Sequence, residues 1–514
     1  MSKPFFNIRN KWSNYVKDQM ASPIKLFNPG TLAELRDILQ EAREYGHKVR
    51  AIGSGHSSSN IAISRDYMIN THGLDRVLDP NWLDLTPGTP GTPGNPGNPG
   101  NPGTPASDNL FFVECGIRIK AVNTALEQKG KALINMGAYD GQTIAGVIST
   151  STHGSGVGLG AFPDYLKAIF LLAENGALYQ IERSAGAGIS NGPAKIPGVD
   201  AIHLIRDDDY FYSVGVSMGC VGIIYAVVIE VMDKYMLEET RSFSQWADVK
   251  KELQGDLLHR YRHVEVLVSP YRYKGHDHKC MVTKRKIVPR PYKSPLIPRG
   301  HRKILPELFV RIVPDFLIDA VIRFIVNHFP RTMPAFVQSE LSTLSDRDYI
   351  DKSYKVLNLG ADNNLAAYAS EIALPGSTYL EAVEEIIQVV GHSVKEGQQY
   401  LNAPFSLRFV KSNAFFLSMQ YSPEPEDFFC MIEFPTVSGT IGGVELLARI
   451  ESALYRFGGI PHWGQINHIG GTGRSSVGRL YPRFADWMRV YHRLCPDNRF
   501  ANDFSNICGI SNSF

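Results

Sequence analysis

Hydrophobic and polar positions change their spacing several times along these 514 residues, and each change marks an element. Over residues 31–45 apolar residues recur three and four apart among good helix formers. Thr31 is placed to cap the start and Gly46 to stop the end, which predicts a helix. A strand over 48–52 follows, and the opening is βαβ-like, with Pro23 and Pro29 flanking a first strand. Two further strands fall between Met68 and Phe112, the second running over 111–115, before a helix over 120–129. Residues 164–182 read as a strand hairpin turning at Glu174-Asn175-Gly176, because Asn-Gly is a strong turn signal. An apolar strand over 225–231 closes this half.

From Met236 the pattern changes. Strands over 264–269, 406–409, 414–418 and 428–434 alternate with helices over 379–389 and 443–457. Strands and helices mixed in this way, without further phosphate loops, predict an α+β unit. The chain exceeds the size at which one core keeps growing, so it divides into residues 1–235 and 236–514. Between two strands of the first unit lie six Gly-x-Pro triplets, Gly88 to Pro105. These are too few for a collagen-like helix and predict an exposed polyproline-like insertion over 87–105.

Composition narrows the function classes. With 43% hydrophobic and 20% charged residues and a net charge of +2, the chain reads as an ordinary globular protein, and no basic stripe with interleaved aromatics suggests nucleic acid. The locally basic stretch 279–302 is broken by Pro289, Pro291, Pro295 and Pro298 and predicts a solvated loop. The six cysteines include no Cys-x-x-Cys pair, which argues against a zinc site or a disulfide scaffold and suits a reducing compartment. No metal is expected. Neither a signal-peptide pattern nor a run of 18 apolar residues appears, so the expectation is a cytoplasmic protein. Residues 304–329 come nearest to a membrane segment, with Asp315, Asp319 and Arg323 as a polar stripe. The first reading is a domain-packing helix, and a peripheral membrane-surface helix is the alternative.

Two Gly/His-rich segments carry the candidate chemistry. In the first, the strand ending at Ile52 opens into Gly53-Ser54-Gly55-His56-Ser57. In the second, Gly137 and Ala138 precede Thr143, Gly146 and Thr150-Ser151-Thr152-His153-Gly154. Glycines let a backbone approach a ligand and leave successive N–H groups free to bind phosphate oxygens. Each segment adds hydroxyl donors and one imidazole. Together they resemble the FAD-binding domain of the vanillyl-alcohol oxidase superfamily, within it the aldonolactone and alditol oxidase branch, from about Trp12 to Phe504.

That resemblance implies an α+β fold: a two-subdomain PCMH-type FAD-binding domain plus an α+β substrate (cap) domain whose C-terminal part returns to the flavin. It implies covalent FAD through His56, a second loop beside the flavin, and a strand around Ile224 whose backbone holds the adenine end. His153 fits either a loop-capping or a catalytic role. In the branch, bulk at the Gly137 position closes the path of O2 to the flavin. Glycine leaves that path open here, unless it serves only the turn.

A flavin oxidising an alcohol takes a hydride while a base or polarising group manages the hydroxyl proton, and donors or a cation are needed at the flavin's N1/O2 edge. The resemblance gives these tasks to a Glu-x-Arg pair on a cap strand and a His-Trp-x-Lys segment. Here they read Ser406-Leu407-Arg408 and His462-Trp463-Gly464-Gln465, so the candidate catalytic residues are Arg408, His462, Gln465 and Ser406. The missing Glu and Lys imply a substrate less polar than a sugar lactone. The leading expectation is an FAD oxidase acting on a C–OH bond of a small molecule and passing electrons to O2. A biosynthetic oxidative cyclisation or desaturation enzyme and a non-catalytic flavin binder are the alternatives. Oligomeric state is not legible.

Overall fold

The computed structural model describes residues 10–86, 106–184, 188–272, 275–289, 315–344, 348–358, 367–397, 399–424, 427–471, 473 and 476–511. The 87–105 insertion lies outside these residues, as do residues 290–302 and 304–314 of the two later stretches. The first sheet is small and parallel. Strand β1 (Lys25–Phe27) leads into α1 (Leu32–Glu44), and β2 (Val49–Ile52) and β3 (Tyr67–Asn70) complete the order β1-β3-β2. The Thr31 side chain accepts from the Glu34 N–H and caps α1, satisfying one of its orphan donors. Leu32, Leu35, Ile38, Leu39 and Ala42 all face inward and are buried, so burial of that stripe fixes the helix on the sheet.

A five-stranded sheet comes next. Its strands are β4 (Leu110–Glu114), β5 (Leu166–Leu172), β6 (Leu178–Glu182), β7 (Ile202–Arg206) and β8 (Ile223–Glu230), in the order β7-β6-β5-β8-β4. The β5–β6 hairpin turns through Asn175 and Gly176, and Gly176 takes a φ of +82°. Between the strands, α2 (Ile119–Gln128), α3 (Ile144–Ser149) and α4 (Asp208–Gly215) cover the sheet. β5 and β8 are almost wholly apolar and buried apart from Lys167 and Glu230, as expected of strands with both faces covered.

At Met236 the chain enters an eight-stranded sheet. Its members are β9 (Met236–Gln245), β10 (His263–Val268), β11 (Lys279–Ile287), β12 (Tyr349–Lys352), β13 (Ala367–Pro375), β14 (Phe405–Lys411), β15 (Phe428–Val437) and β16 (Ile460–Pro461). The order is β12-β9-β11-β10-β14-β15-β13-β16, and every adjacent pair is antiparallel. Residues alternate between faces along each strand. One face, with Val266, Phe405, Leu407, Phe409, Ile432 and Phe434, forms an apolar core under α5 (Tyr379–Lys395) and α6 (Gly443–Leu454). The other face carries Ser406, Arg408, Glu433 and Glu371 beside a small apolar cluster of Ala373, Val410, Phe429 and Met431, and turns toward the glycine-rich loops.

The tail then returns to the first unit. Trp487, on α7 (Phe484–Leu494), donates its indole N–H to Ser213 O at 2.9 Å, and the Asn502 side chain donates to the carbonyls of Asn60, Ile61 and Ile63. Residues 414–418, expected as a strand, form a turn instead. Their apolar character serves packing between units: Phe415 stacks edge-on against Tyr212 at 5.3 Å, and Leu417 O accepts the Trp463 indole N–H. Of the expected helix over 304–329, Asp315–His328 is helical; Ile322 and Val326 are buried in the cap core, and Phe324 and Phe329 are exposed.

Candidate active site

The first loop leaves β2 with Gly53 pressed against the second segment. A Cβ at Gly53 would lie 2.1 Å from Thr143 Oγ1, so only glycine lets these two segments touch. Gly55 takes a φ of +68°, a backbone that glycine adopts without steric cost. The N–H groups of Ser54, Gly55, His56 and Ser57 find no acceptor among the described residues. Such consecutive free donors form an anion-binding nest. Below them Arg50 is buried and spends its guanidinium on backbone carbonyls of Ile61, Met218, Gly219 and Phe500, with no carboxylate partner among the described residues. Its uncompensated positive charge adds to the nest's preference for an anion.

The N-terminal residues clasp this loop from outside. Tyr15 N–H donates to Gly55 O at 2.7 Å and Asn14 Nδ2 donates to Ser57 O at 3.0 Å. His56 lies between Tyr15, stacked at 4.4 Å, and Tyr139, tilted at 4.4 Å. Burial, aided by the positive Arg118, pulls the His56 imidazole down to about 4. At neutral pH it is therefore uncharged, and a ring nitrogen keeps its lone pair.

The second segment is tied to the cap. Gly156 N–H donates to Phe409 O at 2.6 Å, and the Ser155 hydroxyl donates to Val264 O. His153 places Nδ1 2.7 Å from Gly154 O and Nε2 3.2 Å from the Glu371 carboxylate. Both ring nitrogens therefore face oxygen acceptors, and the ring ties the second loop to Glu371. Ser151, by contrast, turns away from the loops. It is fully buried and bonded to Ser418 and Gln420, so its role is to anchor the segment.

The polar face of the cap sheet closes the site. Register sets Ser406 opposite Glu433, Glu433 opposite Glu371, and His462 N–H on Glu371 O at 2.8 Å, so one row crosses four strands. Arg408, two residues beyond Ser406, shares that face. Its Nη2 bridges Glu371 at 2.9 Å and Glu433 at 2.7 Å. Burial would raise Glu371, but His153 and Arg408 outweigh it and hold the carboxyl well below the usual carboxylate range. Glu433 moves the other way, raised by burial and by the neighbouring Glu371 charge against the pull of Arg408. Gln465 Nε2 donates to Glu433 at 3.1 Å and leaves its own buried Oε1 without a partner. His462 Nδ1 accepts the Gly464 N–H at 3.0 Å, so Nε2 carries the ring proton, and burial lowers the group to about 4. It is a neutral donor.

Loops and sheet face enclose one cavity of about 500 Å³, within the range of ligand sites. Ile52, Gly53, Ser54, Gly55, His56, Ser57, Gly137, Ala138, Thr143, Gly146, Thr150, Thr152, His153 and Ile224 line it, as do Arg408, His462 and Gln465. Ser151 and Ser406 do not. Ser406 is buried, and its hydroxyl lacks a partner. A hydroxyl is too short to reach past the row in which it stands. Sequence reasoning passed over Glu371 and Glu433, which also line the cavity. Their signal was a lone carboxylate in an otherwise apolar strand, a residue that is costly to bury without a purpose.

The free N–H groups, the buried Arg50 charge and the glycine-only contact at Gly53 fit a dinucleotide pyrophosphate. The neutral imidazole and the second loop would hold an isoalloxazine ring. This fold and site define a two-subdomain PCMH-type flavoprotein, an FAD-dependent oxidoreductase. Comparison then places it more closely. The D-arabinono-1,4-lactone oxidase family model matches residues 227–508, and an FAD-binding domain model matches residues 23–92 and 105–182. The chain belongs to the D-arabinono-1,4-lactone oxidase family. It is 25% identical over 497 residues to an L-gulono-1,4-lactone dehydrogenase of Mycobacterium tuberculosis, covering 96% of this chain and 98% of that protein. It is 21% identical to the L-gulonolactone oxidase of Mus musculus, covering 96% and 97%. A cholesterol oxidase from B. sterolicum has the same fold, with a TM-score of 0.72 at 13% identity over 98% of this chain and 97% of that one.

Proposed function

We propose that this enzyme oxidises a C–OH group of a polyhydroxylated small molecule of the aldonolactone class, with FAD bound covalently through His56 and O2 as electron acceptor. The observation that carries the substrate reading is the charged wall opposite the flavin loops: Arg408 with Glu371 and Glu433, beside the neutral donor His462. Such a wall complements several hydroxyls and a lactone carbonyl. The expectation of a less polar substrate rested on the missing charges at 406 and 465, and the neighbouring strands supply two carboxylates that this expectation did not include. The relatives' names, L-gulonolactone oxidase, L-gulono-1,4-lactone dehydrogenase and D-arabinono-1,4-lactone oxidase, support the same class.

When bound, the FAD supplies the hydride acceptor. The protein's own groups bind and orient. Arg408 fixes the two carboxylates, His462 Nε2–H donates to a substrate oxygen, and the sheet face excludes water from the loops. An uncharged His56 is the form of imidazole able to attack the flavin 8α-carbon. Gly137 lines the cavity without a side chain, which supports oxygen access. Anaerobic bleaching of the flavin by L-gulono-, L-galactono- or D-arabinono-1,4-lactone tests the substrate reading, and reoxidation by air tests the acceptor. A wild-type flavin that none of these lactones bleaches would refute the substrate class. Acid-precipitated holoprotein should stay yellow, whereas His56→Ala should release its flavin to the supernatant; a colourless wild-type pellet would refute the covalent link.

A further inference from the structure

Two carboxylates bracket Arg408, and they are not equivalent. The Glu371 side chain is only 3% exposed, and its Oε1 takes both His153 Nε2 at 3.2 Å and Arg408 Nη2 at 2.9 Å. The Glu433 side chain is 29% exposed and lines the cavity. Its Oε2 accepts from Arg408 and its Oε1 from Gln465, and a carboxylate with about four lone-pair sites keeps capacity for one more donor. Beside it Gln465 Oε1 and Ser406 Oγ are buried and closed to a ligand, so the acceptor that the cavity meets at this point is the Glu433 carboxylate. Ser406 is the direct cross-strand neighbour of Glu433. Opposite residues in an antiparallel pair have Cβ atoms about 5 Å apart, so a carboxylate on either strand reaches the same region of the cavity.

We infer that Glu433 is the substrate-contacting carboxylate of this enzyme. It accepts the hydroxyl of the carbon undergoing oxidation and takes its proton, occupying from strand β15 the place that strand β14 leaves to a serine. The inference rests on the proposed C–OH oxidation. In the step, the O–H proton passes to the Glu433 carboxylate, the C–H hydride passes to FAD, and the C–O bond becomes C=O; the proton on Glu433 is later lost to water. Arg408 and Gln465 keep the carboxylate in place during this transfer. The raised protonation range of Glu433, caused first by burial and then by Glu371, makes it a stronger base than an exposed carboxylate. Glu371, held ionised, is a positioning residue.

The test uses holoprotein and three variants. Glu433→Gln keeps the shape and one acceptor oxygen for Arg408, while its NH2 can pair with Gln465 once that amide turns its Oε1 inward. It should retain FAD, lower the anaerobic flavin-reduction rate by 100-fold or more, and abolish the acid limb of the rate's pH profile. Lactone binding, read as perturbation of the flavin spectrum, should weaken by less than tenfold. Glu433→Ser should behave similarly in rate, and the exchange S406E/E433S, which moves the carboxylate across the strand pair, should recover at least tenfold over Glu433→Ser. Glu433→Gln that keeps the wild-type rate and acid limb overturns the assignment. If Glu433→Gln fails to fold, an exchange variant that holds FAD yet shows no recovery over a folded Glu433→Ser overturns it equally. A wild-type flavin bleached by none of the lactones would instead refute the underlying substrate reading, and this inference with it.

Discussion

The two walls of the cavity solve opposite problems. The loop wall, Gly53 to Ser57 and Gly137 to His153, presents backbone N–H groups, hydroxyls and an imidazole that burial keeps uncharged. The sheet wall presents ions in direct contact, Arg408 between a buried Glu371 and a part-exposed Glu433. The first gains its affinity from backbone geometry, where added bulk is harmful. The second gains it from charges that are stable only while paired, because a lone buried charge costs several kcal/mol. Damage to the loop wall should therefore appear as lost cofactor, and damage to the sheet wall as lost substrate chemistry and lost stability.

The largest effect should come from Arg408→Ala. It leaves two carboxylates facing each other without their shared cation, and should cost about 3–5 kcal/mol of stability together with well over a hundredfold in kcat/KM. Thermal unfolding and anaerobic reduction of the purified holoprotein read both. Unchanged stability would show that the sheet wall is solvated and that its charges do not depend on pairing. Gly53→Ala comes next, since its Cβ falls 2.1 Å from Thr143 Oγ1. Overpacking of this kind costs about 1–3 kcal/mol, and FAD content should fall while any holoprotein that remains keeps its KM. Thr143→Ala in the same chain should restore part of the FAD.

A pH dependence separates the walls further. His462 is neutral when folded, at about 4, against about 6.5 when unfolded. Between those values the unfolded chain binds the extra proton, so stability rises with pH through this window and is lost as pH falls through it. The size is about 3 kcal/mol for this one group. His263, also buried and lowered well below its ordinary value, adds in the same direction. Glu371 contributes in a lower window, with stability present above its unfolded range near 4.5 and lost only as pH falls below it. His462→Gln should flatten the slope between pH 4 and 6.5 in urea-melt midpoints; an unaltered slope would remove His462 from this account. The smallest effect is expected for replacement of residues 88–105 by a short Gly/Ser turn. Loop-closure entropy changes slowly with length, so melting temperature and FAD content should stay within a degree or so and about ten per cent.

The loop wall was legible because its meaning is local. A strand ending at Ile52, glycines at 53 and 55, and a histidine at 56 specify a nest whatever packs behind them, and nearly every loop residue named from sequence lines the cavity. Ser151 was misread because its positive φ of 56° turns the side chain into the protein, and a string of hydroxyl residues does not reveal which member will turn. Residues 414–418 were misread because five apolar-rich residues satisfy a strand and a packed turn equally well. Arg50 was passed over inside its strand, although a single arginine among buried residues is a cost that asks for a reason.

The sheet wall needed the tertiary structure. Sequence by itself determined the glycine loops, the Thr31-capped helix and the hairpin at Asn175-Gly176. Those follow from φ/ψ limits and local capping, which act within a few positions. Which polar residues meet across that face was decided by register. Ser406, Glu433, Glu371 and His462 are separated by up to 91 residues in the chain, yet stand in one row. Hydrogen-bonded register between strands distant in sequence is set by the burial of whole faces, which no local pattern encodes. The charge that position 406 lacks is therefore found at 433, one strand away.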